Sequence, residues 1–202
     1  MRSWRKSWRS LKNIRFIALL SILFCFIVLS HGLISADIKL IGKGAQFPDV
    51  TFKDGVSKEE RSYLGLSRKA NFSFKDFTGS LFITEVFSTY CMSCPKNVPI
   101  LNDAYSAIQN DPELKGKIKV IGIAVGNNSN EVEGFRKEYR VLYPILSDPR
   151  FTAHTALGNP RVPCTLFIRK NTKGNNIVIY AHQGVFGSTE EVMRKVREIL
   201  SK

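Results

Sequence analysis

Two cysteines held two residues apart, Cys91 and Cys94, follow an apolar run, Leu81–Phe87 (LFITEVF), and precede prolines at 95 and 99. The run carries one charge, Glu85, and reads as a strand buried on both faces at the centre of a sheet. At the first turn of a following helix, Cys91 would meet unpaired backbone N–H groups and the positive end of the helix dipole. Both stabilise a thiolate and make the sulfur an attacking group near neutral pH. Cys94, one helical turn on, is in reach to close a disulfide with it. Pro95 falls where a missing N–H is tolerated, whereas Pro99 predicts a kink because it removes a ladder bond.

On spacing alone a Cys-x-x-Cys is half a zinc site, a haem c attachment, a structural disulfide or a redox pair. Haem attachment wants a histidine next, where this chain has Pro95, and the remaining zinc candidates, His31, His154, His182 and Cys164, are scattered. The upstream strand and the downstream proline favour redox chemistry. A second motif lies further along, where Arg161-Val162-Pro163 precedes the apolar run 165–168.

With both motifs in view, residues 42–200 resemble the thioredoxin superfamily, and within it the membrane-anchored TlpA- and ResA-like thiol–disulfide oxidoreductases, a redoxin or AhpC/TSA-type group. The resemblance implies an α/β thioredoxin-like fold: a central mixed β-sheet flanked by helices, with an N-terminal extension and a strand–helix insertion ahead of a cis-proline loop. It implies a redox disulfide between Cys91 and Cys94, with Cys91 attacking a client disulfide and Cys94 resolving the mixed disulfide. It places Pro163 as a cis-proline against both cysteines, with Val162 and Tyr90 meeting the client. Glu85 falls where thioredoxins keep a buried acid, whose raised pKa would let it take the Cys94 proton. The alternative for Glu85 is a surface position or a structural ion pair. ResA-type chains carry an acid three residues after the second cysteine; this chain departs from them with Asn97. Cys164 is a candidate third thiol, although a small buried strand residue is the plainer reading. The resemblance brings no cofactor and no metal.

A chain of 202 residues with 44% hydrophobic residues is long enough for one full core. Residues 1–15 carry six cations and no acid, and the apolar stretch 16–29 follows directly. This is the pattern of a signal anchor or signal peptide, with the positive flank kept in the cytoplasm. The favoured expectation is a single-pass inner-membrane protein whose redox domain faces the periplasm or cell exterior. The alternative is cleavage after Ala36 and release into the periplasm. Cys25, preceded by Phe24, reads as an apolar membrane residue. The division is 1–36 for the basic flank and anchor, 37–71 for the extension, and 72–202 for the redox domain. Removing the six N-terminal cations from the net +13 leaves +7, spread without a basic cluster, which argues against nucleic acid as a partner.

The elements that must position the cysteines follow from pattern and punctuation. Glycines and Pro48 break up 37–71, where an edge strand or hairpin near 50–52 and a helical turn at 57–61 are expected. The resemblance implies a strand at 72–74; pattern predicts a helix through Val98, Leu101, Tyr105 and Ile108 up to Asp111-Pro112, and a buried strand at Ile118–Val125. An Asn- or Ser-capped helix to about Arg140, a strand at 143–146 and a helix capped by Ser147-Asp148-Pro149 make the insertion. An antiparallel pair, 164–169 with 177–182, leads to a last helix, 188–200, with Val192, Val196 and Leu200 inward and a Ser188/Glu191 capping box.

The partners implied are disulfide-bearing client proteins, apocytochromes c for example, and a thiol-reductase-type electron donor in the membrane. Two other functions compete. A peroxiredoxin-like peroxidase would want Pro and Thr where this chain has Thr84 and Ser88. A copper- or client-holding module would use Cys91 and Cys94 with His154 or His182.

Overall fold

The computed structural model describes residues 41–201 apart from 54, 68 and 69. The basic flank, the anchor, the cleavage site, Cys25 and His31 lie outside the described residues. Among those described, no helix is long and apolar enough to cross a membrane.

Seven consecutive buried residues make Leu81–Phe87 (β1) the middle of a sheet, as an apolar run without alternation requires. Ile118–Val125 (β2), equally buried, lies parallel to it on one side, and Ile145–Asp148 (β3) is parallel to β2. On the other side Cys164–Lys170 (β4) runs antiparallel to β1, and Asn176–Gln183 (β5) antiparallel to β4. The order β3-β2-β1-β4-β5 is the mixed sheet of a thioredoxin-like fold. Among the described residues, four helices complete the core, Asn97–Asn110 (α2), Ser129–Tyr139 (α3), Thr152–Ala156 (α4) and Thr189–Leu200 (α5), and a fifth, Lys58–Leu64 (α1), precedes the sheet.

Alternation along β1 divides the core into two faces. Leu81, Ile83 and Phe87 join Val98, Leu101 and Ile108 of α2, Val132 and Phe135 of α3, and Val192, Val196 and Ile199 of α5. Phe82 and Val86 face the other way, into a cluster to which the extension brings Phe47, Phe52 and Leu64 and the segment after it brings Phe72, Phe74 and Phe77. The aromatic rings there sit close, Phe47 on Phe74 at 4.5 Å and Phe74 on Phe77 at 4.9 Å between centroids. Residues on both sides of position 71 therefore share one apolar cluster.

Several expectations need correcting. The strand at 72–74 is a single bridge, Phe52 with Phe72, because the chain turns at 74–76. The insertion strand is shifted to 145–148, so Ser147 and Asp148 end it rather than cap α4 from a loop; Asp148 still accepts the His154 N–H at 2.9 Å, doing a cap's work from the strand end. Pro99 is the third residue of α2, where no intrahelical N–H bond exists to lose, so the predicted kink has no cause there. In α5 the inward residue is Ile199, and Leu200 is exposed. Ser188 accepts the Glu191 N–H, but the Glu191 carboxylate turns to the Gly187 N–H, so the box is half made.

Candidate active site

β1 ends at Phe87, and the chain from Ser88 to Ser93 is a turn: α2 begins only at Asn97, after a short 3₁₀ turn, Cys94–Lys96. Cys91 thus stands before the helix rather than on its first turn. One backbone N–H still faces its sulfur: the Cys94 N–H points at Cys91 Sγ at 3.2 Å. Cys91 and Cys94 are joined as a disulfide with Cα atoms 5.4 Å apart. Burial separates the two sulfurs' environments: Cys94 is in the core, whereas Cys91 is only half-buried, with Ser93 Oγ 3.4 Å from its sulfur.

The turn is held from β2. Asn127, fully buried just after that strand, accepts from Thr89 N–H at 2.9 Å and from Ser88 Oγ at 3.3 Å, and donates to Thr89 Oγ1 at 2.6 Å. Asn128 and Glu131 form a reciprocal capping box on α3, and the Tyr90 hydroxyl donates to the same Glu131 carboxylate. Tyr90 and Met92 are 72% and 96% exposed, so two large apolar side chains border Cys91 in solvent.

From the opposite side comes the loop before β4. The Val162–Pro163 peptide is cis, and the Val162 carbonyl oxygen lies 3.7 Å from Cys91 Sγ. Pro163 is buried, and its carbonyl accepts from Gly184 N–H at 2.9 Å and Gln183 Nε2 at 3.0 Å, which anchors the loop on β5.

Behind the disulfide lies Glu85, 2% exposed, on the face shared with Cys94 and α2. It neither reaches the surface nor pairs with a cation. Its Oε1 accepts from Asn97 Nδ2 at 3.1 Å and its Oε2 from the Tyr143 hydroxyl at 3.0 Å. Burial pushes the carboxyl up to about 7, against the two hydrogen bonds that favour the charged form. Asn97 and Tyr143 were not picked out as site residues by the sequence; an Asn where relatives keep an acid was the one available signal.

Cys164 is brought to the other face of the sheet, among Val86, Leu166 and Ile168, and burial pushes its thiol up to about 11. His154 bonds the Pro160 carbonyl, and His182 stacks on Phe186 at 3.9 Å, so both histidines that a copper site would recruit have structural partners. At the two positions where the peroxidase pattern wants Pro and Thr, Thr84 lies on the strand between Ile83 and Glu85, on the face away from Cys94, and the Ser88 hydroxyl donates to Asn127 Oδ1 at 3.3 Å. A cleft of about 210 Å³ opens beyond β2 and β3, lined by Lys53, Asn128, Asp148 and Arg150, whereas the solvent-facing sulfur of the disulfide is that of Cys91, bordered by the exposed Tyr90 and Met92.

A buried and an accessible sulfur joined across a strand–helix junction, facing a cis-proline backbone, define a thiol–disulfide oxidoreductase on a thioredoxin-like fold. The AhpC/TSA family profile matches residues 44–177, and the chain belongs to that family. It is similar to the thiol–disulfide oxidoreductase ResA of Geobacillus thermodenitrificans, 24% identical over 138 residues, which span 68% of this chain and 70% of that one. ResA of Bacillus cereus is 26% identical over 128 residues, 58% of this chain and 70% of the relative. Among solved structures, StoA from Bacillus subtilis matches with a TM-score of 0.53 at 16% identity, covering 74% of this chain and 98% of that chain. The thioredoxin domain of a thiol–disulfide oxidoreductase from Bacteroides vulgatus matches at 0.57 and 13%, covering 77% and 99%. The fold is shared, and the group is the TlpA/ResA-like one.

Proposed function

We propose that the chain reduces disulfides of client proteins outside the cytoplasm, with Cys91 as attacking and Cys94 as resolving cysteine. The observation that carries this is the asymmetry of the pair: Cys91 is half-buried beside the Val162 carbonyl and under the Cys94 N–H, and Cys94 is buried behind it. The Cys91 thiolate attacks one client sulfur, a mixed disulfide forms, and the other client sulfur leaves as a thiolate. Cys94 then gives its proton to Glu85 and attacks Cys91 Sγ, which releases the second client sulfur. The client disulfide gains two electrons and the enzyme dithiol loses them; a thiol-reductase-type donor in the membrane restores it. Tyr90 and Val162 form the client-facing rim, and the buried Pro163 holds the Val162 backbone in place behind it. The basic flank and apolar stretch at 1–36 anchor the redox domain, 72–202, and its extension, 37–71, to the outer face of the cytoplasmic membrane; release after cleavage at Ala36 is the other arrangement. Apocytochromes c, which bring paired cysteines, are the client class this reading favours.

The test is the reduction potential of the Cys91/Cys94 couple in the detergent-solubilised full chain, with Cys94→Ser used to trap the mixed disulfide. A value near or below about −250 mV supports reduction, one above about −150 mV makes the protein an oxidant or isomerase, and the absence of a reversible couple ends the proposal.

A further inference from the structure

Both oxygens of the buried Glu85 are engaged by donors, and the two donors differ in what they can become. Asn97 Oδ1 accepts the Phe186 N–H at 2.9 Å. A backbone N–H only donates, so the amide is oriented without ambiguity, and its NH₂ group, which cannot accept, faces Glu85 Oε1. Oε1 is therefore an acceptor in either charge state. The Tyr143 hydroxyl on Oε2 is a rotor that can donate or accept.

We propose that Asn97 and Tyr143 assign the exchangeable proton of Glu85 to Oε2, with Tyr143 acting as a positioning residue whose hydroxyl donates to the ionised acid and accepts from the protonated one. The inference rests on the reading of Glu85 as the proton acceptor of the resolving step. When Cys94 loses its proton, that proton arrives at Oε2 and the Tyr143 hydroxyl turns away; when Glu85 releases it, the hydroxyl turns back. No bond other than these O–H and S–H bonds is made or broken.

Few other groups on this face can change charge. Gly122 of β2 and Thr165 of β4 lie directly across from Glu85, and neither titrates. Cys94 comes from the 3₁₀ turn, and α5 presents Val192, Met193, Val196 and Ile199. Arg136 of α3 bonds the Tyr143 carbonyl at 3.1 Å, and His182 of β5 stands beyond Thr165 in the same cross-strand row, its ring on Phe186. Among the described residues, Tyr143 is the titratable side chain in hydrogen-bond contact with the carboxyl, and it is itself buried, so its switch from donor to acceptor leaves its O–H without the Oε2 acceptor and disfavours protonation of Glu85.

The experiment follows the Glu85 carboxyl carbon by ¹³C NMR in the full chain, reduced and in detergent, with Glu85→Gln for assignment, alongside the pH profile of client release from the Cys91 mixed disulfide. Tyr143→Phe removes the Oε2 partner in both charge states, and the charged form loses the stronger, charge-assisted hydrogen bond, so the Glu85 midpoint rises by about one unit and the release profile rises with it. A midpoint that rises without the release profile supports the positioning role and defeats Glu85 as the base. An unchanged midpoint, with Glu85→Gln still abolishing the pH limb, overturns the positioning role and spares the base. Should Tyr143→Phe not fold, 3-fluorotyrosine at position 143 strengthens the donor: a lowered midpoint supports the proposal, and an unchanged or raised one overturns it.

Discussion

A carboxyl group in the centre of a buried strand works against folding when it is ionised, and Glu85 shows the consequence. Its ordinary value is 4.5 and its folded value about 7, so the native state holds the proton more tightly than the unfolded chain does. Stability from this group is therefore greatest below pH 4.5 and declines as pH rises towards 7, with no further loss above it. Glu85→Gln keeps the shape without the charge and should stabilise the protein at pH 8 by about 3 kcal/mol while changing little at pH 4. Denaturant midpoints of both proteins across that range check this; equal slopes would refute it. The thiols differ in the same physical way. Cys164, buried and held at about 11, stays protonated at pH 8, whereas Cys91 has an N–H on its sulfur and access to solvent. After reduction, alkylation followed by mass spectrometry should mark Cys91 within minutes and Cys164 only once the chain unfolds.

The elements around the site are placed by partners that cover what the sheet leaves open. β3 pairs with β2 only from Gly122 onward, so the first half of β2 has an uncovered edge. Helix α1 closes it: Ser57 and Glu60 cap the helix reciprocally, and the Tyr63 hydroxyl accepts the Val120 N–H at 2.8 Å, with Lys119 Nζ 4.6 Å from the Tyr63 ring centroid. Tyr63→Phe leaves that N–H without an acceptor and should cost about 1–3 kcal/mol. The amide of Val120 should exchange faster in the variant than in the parent, while those of β4 change only with global stability; uniform behaviour of both strands would mean the edge contact is not the cause. The glycine that turns β2 towards Asn127 has a similarly narrow reason. Gly126 has φ +69°, and a Cβ there would come within 2.5 Å of the Phe151 ring.

Across the whole molecule, the extension and the redox core are joined by charge as well as by apolar packing. Arg136 of α3 reaches Glu60 of α1 at 2.7 Å, Glu133 at 3.5 Å and the Tyr143 carbonyl at 3.1 Å. Its side chain is 22% exposed and that of Glu60 15%, so the pair is shielded from solvent more than a surface ion pair. Arg136→Met keeps the apolar stem and strands the Glu60 carboxylate, which should destabilise the protein by about 1–3 kcal/mol. Pairing it with Glu60→Gln in a double-mutant cycle should recover part of that loss, and simple additivity would show that the two charges act independently.

Much of this protein was legible in its sequence because the signals are local. The seven-residue apolar run of β1, the bounds of β2 and an Asn or Ser cap on α3 follow from periodicity and capping chemistry, and the structure makes the cap Asn128. The Cys91/Cys94 spacing was readable for the same reason, whereas Pro163 was expected opposite the pair only through the family resemblance, since an X-Pro step does not say what it faces. Strand and helix ends slipped by one or two residues, as with β3 and with Ile199 in place of Leu200, because the period of an element does not say which neighbour covers its last turn. The surroundings of Glu85 could not be read at all. Its partners lie 12 and 58 residues away, and the Asn127 that holds the cysteine turn lies 38 residues from Thr89. Whether a buried carboxyl meets a cation, an amide or a phenol, and whether Cys164 shares its face, depends on which elements pack against the strand. Sequence determined that an acid and two thiols were present; packing decided that the acid stands behind the thiols, buried and held by two donors, because a buried polar group must take whatever partner the neighbouring elements bring within hydrogen-bond reach.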